Sequence, residues 1–62
     1  MTYKIATEAE NTGLDSAIFA TQAEAYEAII VCKQTFNDHR FEVVASDEPP
    51  NTTFSEWNEA GW

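Results

Sequence analysis

The sequence predicts a small α+β domain: a three-stranded antiparallel sheet of order 2-1-3, one helix packed on one face, ββαβ connectivity, and a short C-terminal helix or tail. Three observations carry this expectation. Residues 2–8 alternate with period two, a threonine-glutamate capping box opens an apolar stripe of helical spacing over 22–36, and residues 40–46 alternate again before two prolines. With 62 residues there is room for one domain. A chain of that size buries only about 60% of the surface its unfolded state exposes.

In residues 2–8, Tyr3, Ile5 and Thr7 fall on one face and Thr2, Lys4 and Ala6 on the other. β-branched and aromatic side chains on a common face are the mark of a half-buried strand. Glu10-Asn11-Thr12-Gly13 carries turn chemistry, because glycine tolerates positive φ and asparagine bonds its own backbone. Residues 15–20 read as a second strand, with Ala17 and Phe19 on one face and Ile18 on the other, which makes a hairpin with a long loop.

Thr21-Gln22-Ala23-Glu24 is a capping box: the threonine oxygen accepts from the Glu24 N–H, and the glutamate reaches back toward the threonine N–H. Behind it Ala25, Ile29, Cys32 and Phe36 recur at spacings of four, three and four, with Tyr26, Ile30 and Lys33 alongside. This is the apolar face of a helix over 22–36. Residues 40–46 place Phe41, Val43 and Ala45 on one face, and Pro49-Pro50 ends the strand because proline cannot donate to a ladder. In the remaining segment, 47–62, Thr53-Phe54-Ser55-Glu56 is a second capping box and Gly61 a helix stop.

Charge narrows the function. Eleven Asp and Glu face three Lys and Arg, a net charge of -8, with pI near 4.1. This balance argues against direct binding to DNA, RNA or anionic lipid, since phosphate binding is driven by Lys and Arg. No apolar run is long enough to span a bilayer. A single cysteine forms no internal disulfide, and the first residues lack the apolar stretch of a signal peptide, so a reducing, cytoplasmic setting is expected.

No motif for catalysis, metal or cofactor stands out. His39 has no His or Cys companion at ligand spacing, Cys32 sits in register with the apolar stripe, and no calcium loop or glycine-rich phosphate loop is present. The chain is therefore read as a non-enzyme without cofactors.

The unbalanced segment is C-terminal. From Phe41 onward there is no Lys or Arg but five carboxylates, Glu42, Asp47, Glu48, Glu56 and Glu59, together with Phe54, Trp57 and Trp62. Aromatic anchors among unpaired carboxylates suit docking on a basic protein surface. Carboxylates two apart on a strand are ~6.7 Å apart, and those three apart on a helix ~5–6 Å, a spacing of the same order as phosphates along a nucleic-acid strand. In size, acidity and lack of enzyme motifs the chain resembles the phage-encoded anti-CRISPR and antirestriction DNA mimics. That resemblance implies an inhibitor occupying the nucleic-acid-binding surface of a basic host protein, and it carries no residue over. The alternative is a non-mimic interaction module or a small homodimer that uses the aromatic C-terminal segment.

Overall fold

The computed structural model describes residues 1–60. In chain order the elements are β1 (Thr2–Thr7), α1 (Gln22–Thr35), β2 (Phe41–Ser46) and α2 (Phe54–Glu59). β1 and β2 pair antiparallel with Tyr3 opposite Ala45, Ile5 opposite Val43 and Thr7 opposite Phe41. Ile5 is buried on this face, and Tyr3, Phe41 and Val43 pack against the core. The opposite face presents Lys4, Ala6, Glu42 and Val44, of which Ala6, Glu42 and Val44 are exposed.

α1 begins where its cap dictates. Thr21 is extended, at φ -129 and ψ 154, and its Oγ1 accepts from the Glu24 N–H. Ala25, Ala28, Ile29 and Cys32 are the buried residues of α1, at offsets of three, four and seven from the first, which is one face of a 3.6-residue helix. That face lies on both strands and on α2. α2 repeats the device: Thr53 Oγ1 accepts from the Glu56 N–H and donates to Glu56 Oε1.

The expected sheet is corrected in one respect. It has two strands, not three, and the connectivity is not ββαβ. Residues 15–20 contribute a single antiparallel bridge, Phe19 opposite Tyr3, with N–H to carbonyl distances of 2.9 and 2.8 Å. The ladder stops there because Asp15 and Ser16 lie in a turn closed by the Ala17 N–H on the Leu14 carbonyl, which takes the next donor that would face β1. The backbone of Ile18 points away from β1 and is bound by Asn51: its N–H donates to Asn51 Oδ1 at 2.8 Å, and its carbonyl accepts from the Asn51 N–H at 3.0 Å. Burial follows the same logic. Ala17, Ile18 and Phe19 are buried in succession, where a half-buried strand would alternate.

The connection between β1 and α1 is thus a packed loop. Ala9, Thr12, Leu14 and Phe19 are all buried within it. Burying a side chain such as Leu14 or Phe19 contributes ~1.5–3 kcal/mol, so this irregular segment supplies core as a strand would. Two residues set its path with positive φ, Asn11 at 62° and Gly13 at 72°. Asparagine and glycine are the residues that enter that region at least cost.

Candidate functional site

The carboxylates expected to meet a partner are all exposed: Glu42, Asp47, Glu48, Glu56 and Glu59. They are not gathered in one row. Glu42 stands on the open face of the sheet, at one end of β2, while Asp47 and Glu48 leave the other end. Glu48 is the most tied of the group. Its carboxylate pairs with Lys4 Nζ at 3.2 Å, its N–H donates to Ser46 Oγ, and its carbonyl accepts from Thr2 Oγ1 at 2.5 Å. Both members of the pair are solvent-facing, so the attraction contributes ~0–1 kcal/mol and chiefly orders the turn after β2.

Glu56 belongs to the α2 cap and suits the positive end of that helix. Glu59 is in the last turn, where the helix carries partial negative charge and where no basic residue offsets it. Local folding therefore disfavours an acid at this position.

The aromatics divide differently from the carboxylates. Trp57 is only 4% exposed. Its indole N–H donates to the Thr12 carbonyl at 2.9 Å, which seats α2 on the loop between β1 and α1. Phe54 is half-buried, packs against the core, and lies 6.0 Å from the Trp57 ring. The side chain of Trp57 is thus a core group and is not presented to a partner. Trp62 lies outside the described residues. The exposed large apolar side chains are elsewhere: Met1 at 84%, Tyr26 at 51% and Ile30 at 61%, the last two one turn apart on α1, and Val44 at 42% on β2. The spacing of Tyr26 and Ile30 was visible in the sequence, but their side of the helix was not.

Comparisons with family models, curated proteins and solved structures gave no match. The surface itself must carry the reading.

The wider surface has a strong asymmetry. Glu8, Glu10, Asp15, Glu27 and Asp38 are exposed as well, so ten of the eleven acidic side chains are exposed and Glu24 alone is intermediate. Among the described residues Lys4–Glu48 is the one ion pair. The cation-free excess lies in the C-terminal third, yet half of the exposed carboxylates come from earlier segments.

Neither Cys32 nor His39 forms a nucleophile with a base. Cys32 is fully buried in the core, and burial pushes its thiol up to about 11, away from the thiolate. His39 packs edge-on against Phe36, with ring centroids 5.7 Å apart. Among the described residues no group of three or more His, Cys, Asp and Glu side chains is placed to hold a metal ion. No helix among them is long and apolar enough to cross a membrane.

Proposed function

We propose that this chain is an acidic protein-binding inhibitor that occupies a basic nucleic-acid-binding surface on a host defence protein, in the manner of an anti-CRISPR or antirestriction DNA mimic encoded by a phage or mobile element. The observation that supports this reading is the state of the carboxylates: ten are exposed, and one ion pair is found among the described residues. A surface of that kind steers association with a basic partner. The acid at the end of α2 adds to the support, because folding alone does not favour Glu59 there.

Under this reading binding is dominated by charge, with Tyr26, Ile30 and Val44 as the exposed apolar anchors. The test is retention of basic nucleic-acid-binding proteins on the immobilised chain, followed by titration of each purified partner. Affinity should fall steeply with salt, and duplex DNA or RNA should compete for the same site. A complex indifferent to salt, with nucleic acid still bound to the partner, would overturn the proposal.

A second reading is a non-mimic interaction module or homodimer seated on α1. Tyr26 and Ile30, both exposed and one turn apart, favour it. Light scattering tests the homodimer: a dimer that dissociates in Ile30→Glu supports it, and a monomer removes it.

A further inference from the structure

Two of the three cationic side chains in this acidic chain, Lys33 and Arg40, line one open cleft of about 360 Å³ together with His39, Phe41 and Glu42. Lys33 comes from the last turn of α1, His39 and Arg40 from the short connection that follows, and Phe41 and Glu42 from the start of β2. The cations are not engaged elsewhere. Among the described residues the one ion pair belongs to Lys4 and Glu48, so neither Lys33 nor Arg40 is paired although eleven acidic residues are at hand. His39 Nδ1 is buried and has no hydrogen-bond partner. Its ring is fixed at 88° to that of Phe36, and its backbone N–H is held by the Phe36 carbonyl at 3.2 Å.

We propose that this cleft is a binding site for a phosphate-class oxyanion, either inorganic phosphate or a small phosphomonoester. The guanidinium of Arg40 offers a planar fork suited to two phosphate oxygens, and Lys33 adds a point charge with three donors. His39 lines the cleft beside them. A tetrahedral oxyanion has oxygens enough to meet the Arg40 fork and Lys33 together, whereas a carboxylate has two. The cleft is larger than a phosphate ion, and the Phe41 ring on its wall gives an apolar surface for the rest of an ester.

Charge opposes the site as well as making it. Glu42 is on its wall, Asp38 is next to His39 in sequence, and Glu8 Oε1 accepts from the Arg40 backbone N–H at 3.1 Å. More distant carboxylates are screened at physiological salt, where the Debye length is ≈ 8 Å. The nearby ones weaken the site. The site shares Glu42 with the acidic surface read above as a docking face, and its cations are not part of that surface.

The experiment is a titration of the ¹⁵N-labelled chain with inorganic phosphate, with chloride adjusted to hold ionic strength constant. Saturable shifts are expected at Lys33, His39, Arg40, Phe41 and Glu42. Arg40→Gln and Lys33→Gln should each weaken binding about ten-fold, and Glu42→Gln should tighten it several-fold. All three positions lie on the surface of the cleft or on the exposed sheet face, and unchanged amide dispersion will show that each variant folds. Tighter binding of adenosine monophosphate assigns the site to a phosphomonoester with its ring on Phe41. Equal or weaker binding assigns it to phosphate itself. Shifts that never saturate, that chloride alone reproduces, or that persist unchanged in Arg40→Gln and Lys33→Gln would overturn the proposal.

Discussion

Asn51 is the residue on which the sheet edge and the acidic segment are joined. It makes three hydrogen bonds to residues 16–18: Oδ1 accepts from the Ile18 N–H, Nδ2 donates to the Ser16 carbonyl at 2.6 Å, and its own N–H donates to the Ile18 carbonyl. The first two are made by the side chain. Asn51→Ala removes both and leaves the N–H of a buried Ile18 without a partner. Each lost bond is worth ~0.5–1.5 kcal/mol, and an orphaned buried donor costs about 1–3 kcal/mol. A destabilisation of ~2–3 kcal/mol is therefore expected in urea unfolding, with the slope unchanged. Asn51→Asp keeps the acceptor for Ile18 and loses the donor to Ser16, so it should fall between the two. A midpoint for Asn51→Ala equal to that of the parent would show that water replaces the side chain and that it does not hold the segment.

Among the elements, those legible in the sequence are those whose causes are local. Thr21 and Thr53 each stand three residues before the glutamate whose N–H they accept, so both helix starts can be read from a four-residue window. The buried stripe of α1 is legible for the same reason, since its spacing lies within one element. Residues 15–20 do not extend as a strand because the turn at Asp15 and Ser16 takes the Ala17 N–H, and the partner of their outward backbone, Asn51, lies more than thirty residues away in a loop after two prolines. The burial of Trp57 likewise depends on the Thr12 carbonyl, 45 positions distant. Its carboxylate neighbours were identifiable by type alone, and the cleft of Lys33, His39 and Arg40 forms only when the end of α1 meets the start of β2. At this scale α2 makes its own prediction. Glu59 opposes the helix dipole, an effect of ~0.3–1 kcal/mol at a helix end, and a helix of six residues places it at the lower limit. Glu59→Lys should therefore raise the thermal midpoint slightly while weakening the basic partner. A variant that is more stable and binds equally well would remove Glu59 from the docking surface.

At the scale of the whole molecule the same carboxylates act on stability and on binding with opposite sign. A net charge of -8 is carried on a body only 29 × 21 × 17 Å. At 0.01 M salt the Debye length is ≈ 30 Å, so every acidic side chain feels every other. At 1 M it is ≈ 3 Å, and only contacts remain. Compact packing of like charge destabilises the folded state, because unfolding lets the charges separate. One exposed ion pair among the described residues does little to offset this, and because it is worth little its screening by salt costs little. Sodium chloride should therefore stabilise the fold. For a domain of this size 1 kcal/mol corresponds to ~4–8 °C in Tm, and a rise of several degrees between 0.01 and 0.5 M is expected by differential scanning calorimetry. Over the same interval the affinity for a basic partner should fall, since the charges that repel each other within the chain attract it. A Tm that is flat or falls with salt would mean that the folded chain holds its carboxylates no closer together than the unfolded one does, and the excess acidity would then have no cost that a function is needed to explain.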